Sequence, residues 1–291
     1  MSQSLQGTLV LILVTLIWGL TFPLIENAVV AVDPSVFVVV RFLLGGISLL
    51  PFLLKNILQS NKAVIKGAVI LSLFNAAGYL FQTIGMQTET AARGAFITGI
   101  SVIIIPFVAP LFHLGRIKGY DILCAFIAFT GLYILCEPSL NNVHIGDIWI
   151  LLCAITTAFA VSYLQKITLH LKNLNALAFF QITFTGLAAM PFTIRQNVWS
   201  FQTLLQKDVL IGILFCTFFA TSLALLLQTR FQRYITASRA ALIFTLEPLF
   251  GALFGYLINN ETLSWNAAIG GSIILAGMLL SELPHLYKQQ R

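Results

Sequence analysis

Charged side chains are scarce in this 291-residue chain, where Asp, Glu, Lys and Arg make up 9% of the sequence and hydrophobic residues 58%. Soluble domains usually carry about 25% charged residues. The longest segment without an apolar run extends only from Arg195 to Lys207, which is too short for a separate soluble domain. These absences predict an integral membrane protein.

Cysteine and histidine are also few, and the motifs of membrane enzymes are missing. The four cysteines all fall in apolar segments without metal-ligand spacing, so we expect packing residues rather than a disulfide framework or a zinc site. The sequence has no HExxH motif, no paired intramembrane aspartates and no Gly-x-Ser-x-Gly motif. We therefore predict that the protein is not an enzyme and needs no metal and no cofactor.

Ten apolar runs are long enough to cross a bilayer as helices, which takes about 20 residues for a core about 30 Å thick. The first run lacks a basic N-terminal region and a small-residue cleavage site, so we expect a retained helix rather than a signal peptide. The predicted spans are Leu5–Ile25, Ser35–Leu54, Lys66–Met86, Thr90–Phe112, Gly119–Cys136, Ile148–Gln165, Ala176–Ile194, Val209–Thr229, Ile235–Thr262 and Trp265–Ser281.

The chain contains an internal duplication, because the segment Ile235–Thr262 matches Thr88–Phe112 without a gap. Arg93 and Arg239 are 146 residues apart, and the same offset aligns residues in the spans before and after them. Further pairs at this offset are Ala91 with Ala237, Gln82 with Gln228, Thr83 with Thr229, Gly131 with Gly277, and Pro138 with Pro284. This repetition predicts two five-helix halves, residues 1–138 and 139–291.

The distribution of basic residues predicts the topology. With a cytoplasmic N-terminus, eleven of the 16 Lys and Arg residues fall in inward loops, and only Arg195 and Lys207 fall in outward loops. Both termini would then be cytoplasmic in an inner (cytoplasmic) membrane. Because each half has an odd number of spans, the halves would be inverted repeats with a site between them near the midplane. The net charge of +6 follows from this topology, so no nucleic-acid partner is expected.

Several motifs resemble EamA-type members of the drug/metabolite transporter superfamily. The motifs are IWGLTFPLI, RFLLGGISLLP, AARGAFITGISVIIIPFVAPLF, SRAALIFTLEPLFGALFGYLINNETLS and GGSIILAGMLL. The resemblance covers nearly the whole chain and implies ten helices in two inverted five-helix repeats. It also implies export of small metabolites, often amino acids or related compounds, by alternating access. One departure is that Thr157-Ala158 stands where the first half has Trp18-Gly19, so the two halves need not contribute equally to a site.

Polar side chains inside the spans are candidates for substrate binding. The third span carries three at positions i, i+4 and i+7, and the eighth span has two polar residues in the same register. They could line an aqueous cavity, or they could form interhelical hydrogen bonds worth about 0.6 kcal/mol each. Aromatic residues near span ends could instead be interfacial anchors. The candidates are Asn75, Tyr79, Gln82, Thr221, Gln228, Trp18, Thr21 and Tyr163.

Ionisable residues inside the spans form a second group of candidates. Glu247 lies about 18 Å from Ile235, near the middle of the membrane, and Pro248 follows it. A protonated Glu247 could satisfy the backbone carbonyl that Pro248 leaves without a partner, so we expect a coupling or a structural role. Arg41 could hold a substrate carboxylate, but pairing with an acid is the favoured interpretation.

The remaining arginines and small residues of the spans suggest simpler roles. Arg93 and Arg239 are expected to extend toward the membrane surface, with contact to an anion as the alternative. Small residues at i and i+4 in the fourth and ninth spans predict close helix packing within a monomer. The expected partners are a small-molecule substrate, the lipid bilayer and, if transport is coupled, protons; proton antiport and facilitated diffusion both stay open. The alternative is a membrane scaffold or receptor without transport, which would not need a buried acid or matched polar stripes.

Overall fold

The computed structural model of the chain describes residues 2–116, 118–136, 143–194, 199–259 and 264–289, and these residues form helices without strands. The predicted boundary between residues 138 and 139, the predicted loop residue Arg195 and the end of the predicted span Ile235–Thr262 lie outside the described part. The α-helices are α1 (Gln3–Gly19), α2 (Thr21–Val29), α3 (Pro34–Leu58), α4 (Lys62–Gly85), α5 (Ala91–Gly99), α6 (Ser101–Val108), α7 (Gly119–Cys136), α8 (Ile145–His170), α9 (Leu174–Ala189), α10 (Phe201–Leu204), α11 (Lys207–Phe215), α12 (Ala224–Phe231), α13 (Ala237–Phe244), α14 (Leu246–Asn259) and α15 (Trp265–Gln289). Three 3-10 helices (Ala109–Phe112, Met190–Thr193 and Gln232–Tyr234) and one π-helix (Cys216–Leu223) complete them.

Within the described ranges, nine helical segments are long and apolar enough to cross a membrane. A shorter apolar helix, Trp265–Ser281, follows the ninth segment and coincides with the last predicted span. The nine segments are Gln3–Val29, Pro34–Leu58, Lys62–Gly85, Arg93–Phe112, Gly119–Cys136, Ile145–His170, Leu174–Thr193, Lys207–Tyr234 and Ala237–Phe254.

The first segment continues to Val29, whereas the sequence prediction ended it at Ile25, before the charged Glu26. The carboxylate of Glu26 does not end the helix. Its Oε2 atom accepts a hydrogen bond from the backbone N–H of Ala91, at 3.3 Å, at the start of α5. The acid is thus placed at a helix N-terminus, where its charge is favourable.

Two spans are interrupted four residues before a proline. The helix α1 ends at Gly19, ahead of Pro23, and α13 ends at Phe244, ahead of Pro248. A proline has no N–H for the carbonyl one turn earlier, and its ring crowds that carbonyl, so the helix ends there. The sequence predicted one continuous span here, with only the carbonyl one turn before Pro248 left without a partner. The interruption places Glu247 in the first turn of α14.

Helices from the two parts of the chain pack against each other in a reciprocal pattern. The helix α7 packs on α15, and α3 packs on α9. The helix α4 packs on α8, while α12, late in the chain, packs on α1. The segments α5 and α6 contact α8, whereas α13 and α14 contact α1. Glycines allow the closest approaches: a Cβ atom on Gly270 would lie 2.5 Å from the carbonyl oxygen of Gly131.

Arg93 holds the start of α5 against the start of α8. Thr90 caps α5 by accepting a hydrogen bond from the backbone N–H of Arg93 at 3.3 Å. The Arg93 guanidinium pairs with both carboxylate oxygens of Asp147, at 2.6 and 2.5 Å, and with Glu89 at 3.1 Å. The Arg93 charge is therefore satisfied by protein carboxylates, which corresponds to the anion contact that the sequence offered as the alternative.

Arg239 makes the corresponding contact at the start of α13, with different chemistry. Thr236 caps this helix as Thr90 caps α5, with a distance of 3.3 Å to the backbone nitrogen of Arg239. The Arg239 side chain is buried and donates hydrogen bonds to Ser4, at 3.2 Å, and to Thr8, at 3.5 Å. It therefore also lies against another helix rather than extending to the surface, and here α1 offers hydroxyl groups where α8 offers an acid.

Candidate functional site

A cavity lies at the centre of the bundle, bordered by α1 to α6, α8, α9 and α12 to α14. Its volume is about 100 Å³. One water needs only about 10–15 Å³ by the same measure, so the cavity can hold several waters or a small molecule. Polar and apolar surfaces both contribute to its wall, as is usual for sites that bind small molecules.

Most of the residues predicted from the sequence border this cavity. They come from both parts of the chain and from helices far apart in sequence. They are Trp18, Thr21, Arg41, Asn75, Tyr79, Gln82, Gln228 and Glu247.

The helix α4 brings three of these side chains to one face because it is continuous from Lys62 to Gly85. In an unbroken α-helix, residues at i, i+4 and i+7 lie on one side. Asn75, Tyr79 and Gln82 are therefore aligned along the cavity wall. The ring of Tyr79 also packs against Phe42 of α3, with 4.7 Å between ring centroids.

The eighth span does not repeat this geometry, since it contains the π-helix Cys216–Leu223. Thr221 lies in the π-helix, is fully buried and does not border the cavity. Its Oγ1 atom accepts a hydrogen bond from Nε of Arg41 at 2.6 Å. Gln228, in the α-helical part that follows, does border the cavity, and its Nε2 donates to Oε1 of Gln232 at 2.9 Å. Thr221 thus contacts a residue of the cavity wall, Arg41, and does not border the cavity itself.

Tyr163 lies behind the cavity wall rather than in it. Its ring packs against Phe112, at 5.6 Å between centroids, and against Phe74, at 6.2 Å, and Phe74 itself borders the cavity. Direct contact between Tyr163 and a substrate stays a prediction. In the structure this side chain supports an aromatic cluster at the edge of the wall.

Trp18 and Thr21 are held where α1 gives way to α2. The indole Nε1 of Trp18 donates to the carbonyl of Ala220 at 3.0 Å, which ties α1 to the π-helix. The Trp18 ring also packs against Phe244, with centroids 5.4 Å apart. The hydroxyl of Thr21 donates to the carbonyl of Trp18 at 2.7 Å, which satisfies a carbonyl near the helix break.

Arg41 is almost completely buried, with 2% of its surface exposed. Besides the bond to Thr221, its guanidinium lies over the ring of Tyr79, 4.9 Å from the centroid. None of the acids in the described part of the chain forms an ion pair with it. The prediction that Arg41 pairs with an acid is therefore wrong for these residues; a hydroxyl and an aromatic ring surround its charge instead.

Glu247 faces the same cavity from α14. Within the described ranges, no hydrogen bond or ion pair joins its carboxyl group to another residue, so the backbone contact predicted for a protonated Glu247 is not formed here. The cavity is thus bordered by a guanidinium and a carboxyl group that form no hydrogen bond or ion pair with each other. A ligand with groups of both charges would complement both.

Other residues of the wall were not among the candidates for substrate binding. They include Phe74, Thr98, Thr157 and Gln181. In an alignment of the sequences of the two halves, Gln181 occupies the position of Arg41, and this correspondence could have identified Gln181 as a wall residue. Its Nε2 donates to Thr229 at 2.6 Å, which links α9 to α12.

The described residues form a helical bundle with long apolar segments around a cavity that carries polar groups, an arrangement that membrane transport proteins use. The chain belongs to the EamA-like transporter family, whose sequence profile matches residues 5–136 and 144–283. The family and the similar proteins are named as transporters. In the described part of the chain, no group of three or more His, Cys, Asp or Glu residues could hold a metal ion.

Similar proteins include two uncharacterized transporters. One, from Archaeoglobus fulgidus, is 30% identical over 97% of this chain and 87% of its own length. The other, the uncharacterized transporter YoaV of Bacillus subtilis, is 24% identical over 93% of this chain and 94% of its own length. A solved crystal structure with 15% sequence identity covers 96% of both chains with a TM-score of 0.75, which shows the fold alone.

Proposed function

We propose that the protein exports amino acids or related small metabolites across the cytoplasmic membrane by alternating access, with the central cavity as the substrate site. The observation that carries this proposal is the pair formed by Arg41 and Glu247, which border one cavity without an ion pair between them. A zwitterion would present its carboxylate to the guanidinium and its ammonium group to the carboxyl group. Charges held in an apolar membrane are expensive and mark functional sites.

The other wall residues have roles in this proposal that follow from their chemistry. Asn75, Gln82 and Gln228 present amides that can hydrogen-bond the polar parts of a metabolite. Trp18 and Tyr79 offer aromatic surfaces to its apolar part. The cavity of about 100 Å³ limits the ligand to a small molecule.

The architecture in this proposal is ten spans in two inverted repeats, residues 1–138 and 139–291. The reciprocal helix contacts support it, as do the equivalent threonine caps at Thr90 and Thr236. Inverted repeats provide two related ways of arranging the halves around one site, and exchange between them exposes that site to either side.

Transport itself can be tested with purified protein in proteoliposomes. A mixture of amino acids is supplied, once with a pH gradient and once without. We expect the wild-type protein to catalyse counterflow of a subset of them. Asn75→Ala removes an amide from the wall, so it should raise the apparent KM about 5–10-fold, because one lost hydrogen bond is worth about 1 kcal/mol. The measurement is the initial counterflow rate against substrate concentration.

The control for Asn75→Ala is Thr130→Ala, which changes an exposed polar residue of α7 whose hydroxyl donates only to its own helix. This variant should keep the wild-type KM. Absence of counterflow for every metabolite tested, with folded protein in the liposomes, would favour the scaffold alternative and contradict transport.

The inverted topology gives a separate prediction. In a background without native cysteines, single cysteines placed at six positions should be labelled from opposite sides by a membrane-impermeant maleimide, because basic loops stay in the cytoplasm. We expect cytoplasmic labelling at positions 62, 118 and 172 and external labelling at positions 33, 144 and 202. External labelling at position 118 together with cytoplasmic labelling at position 144 would contradict the topology.

A further inference from the structure

A second pocket lies at one end of the bundle, apart from the central cavity. It is formed by the end of α3, the loop between α8 and α9, and the end of α12. This end also carries the start of α4 and is the end predicted to face the cytoplasm. The polar residues of the pocket are Asn56, Gln59, Lys172, Asn173, Asn175 and Arg230.

A chain of hydrogen bonds fixes the orientation of the amide groups in this pocket. Nε of Arg230 is always a donor, and it bonds to Oδ1 of Asn175 at 2.7 Å. The Nδ2 group of Asn175 then donates to Oδ1 of Asn56 at 3.3 Å. This leaves Nδ2 of Asn56 as a donor without a partner among the described residues.

The remaining acceptors of the network are used as well. Nδ2 of Asn173 donates to the backbone carbonyl of Asn56 at 2.8 Å. Oδ1 of Asn173 accepts from the backbone N–H of Ala176 at 3.1 Å and caps α9. The amide oxygen of each of the three asparagines therefore accepts a hydrogen bond inside the protein.

The groups left over in the network are donors, and two of the side chains are cations. In the described part of the chain, the terminal nitrogens of Arg230 and the ammonium group of Lys172 have no hydrogen-bond or ion-pair partner. None of the residues that border the pocket is acidic. Arg230 is held by its Nε atom, so its two terminal nitrogens form a fixed fork, the geometry that binds phosphate oxygens.

We propose that this pocket binds one phosphate-bearing anion, held by the fork of Arg230 and by Lys172 and Asn56. Two sources share this chemistry: the headgroup of an anionic phospholipid in the inner leaflet and a free phosphate compound of the cytoplasm. Basic pockets between helix ends on the cytoplasmic side are suited to lipid headgroups. Arg230 follows Gln228 by two residues on α12, so the bound anion would also restrain a helix that borders the central cavity.

The test uses the full-length protein and two kinds of probe. In the first arm, the protein is placed in nanodiscs of phosphatidylcholine with or without phosphatidylglycerol, and native mass spectrometry counts the retained phosphatidylglycerol. In the second arm, inorganic phosphate is titrated against the protein in an uncharged detergent, and hydrogen exchange is measured around residues 172–175 and 230–234. We expect one bound anion per chain. Retention of phosphatidylglycerol without protection by phosphate assigns the lipid, and the reverse assigns the free anion.

The double variant Arg230→Gln with Lys172→Gln should weaken binding at least about tenfold, because it removes both cations. The matched control is Lys62→Gln with Lys66→Gln, which removes two exposed charges from the same end of the bundle and should change binding less than about twofold. Equal loss of binding in the two double variants would show a diffuse charge effect and contradict the proposed site. Unchanged binding in Arg230→Gln with Lys172→Gln would contradict it as well. If the double variant does not fold, Lys172→Gln alone changes an exposed residue and must still weaken binding. Either measurement is independent of transport through the central cavity.

Discussion

Glu247→Gln is expected to fold and to bind substrate, with a weaker hold on the ammonium group because an amide oxygen replaces the carboxylate, but to lose the pH dependence of transport. Glutamine keeps the size and hydrogen-bonding capacity of the side chain but cannot gain or lose a proton. In the structure, the carboxyl group borders the cavity in the first turn of α14, without a hydrogen bond to any other described residue, so the neutral amide breaks no contact. If Glu247 couples protons to transport, the wild-type rate should change with pH, and the variant rate should vary less than about twofold between about pH 6 and pH 8.

The measurement is counterflow or gradient-driven uptake in proteoliposomes over this pH range, with substrate affinity determined in parallel. Asp208→Asn serves as the control, since Asp208 is an exposed acid at the start of α11 and does not border the cavity. It should leave the pH profile unchanged. A wild-type pH profile in Glu247→Gln would reject coupling through this residue and leave it a structural role.

Arg41→Gln is expected to lower substrate affinity about 10–100-fold while the protein still folds. A hydrogen bond to a charged group is worth about 1.5–3 kcal/mol, and the variant removes the guanidinium that would hold a carboxylate. Folding should survive because a neutral side chain costs less than a charged one inside the membrane. Equilibrium binding in detergent and the KM for counterflow measure the effect, and the thermal unfolding midpoint checks the fold.

Thr221→Val separates the position of Arg41 from its charge. This variant removes the acceptor of the 2.6 Å bond from Nε but keeps the guanidinium beside Tyr79. We expect a smaller loss of affinity, about 3–10-fold, because one positioning hydrogen bond contributes about 1 kcal/mol. Unchanged affinity in Arg41→Gln, with folded protein, would contradict a role of this residue in binding; a loss confined to Thr221→Val would contradict it equally.

The parts of the site that were predictable from the sequence depend on local geometry. Asn75, Tyr79 and Gln82 could be placed on one face because α4 is a regular helix throughout. The carbonyl that loses its helical partner before Glu247 could be named because Pro248 determines it, and α13 ends at that residue. In both cases the spacing along one helix was sufficient.

Contacts between helices are the part that a single sequence does not reveal. Thr221 was matched to Asn75 by register, but the π-helix Cys216–Leu223 interrupts the regular turn, and Thr221 contacts Arg41. The partner of Arg93 is Asp147, which is distant in sequence and precedes the predicted span Ile148–Gln165. Tyr163 packs against Phe74, which borders the cavity, and this contact joins two different helices.

The pairing of Arg93 with Asp147 at the start of α5 implies that this end of the bundle responds to ionic strength. Separating α5 from α8 must pull the Arg93 guanidinium from the carboxylate of Asp147, and dissolved salt screens such charge pairs. Movements at the α5 end should therefore become easier as salt rises.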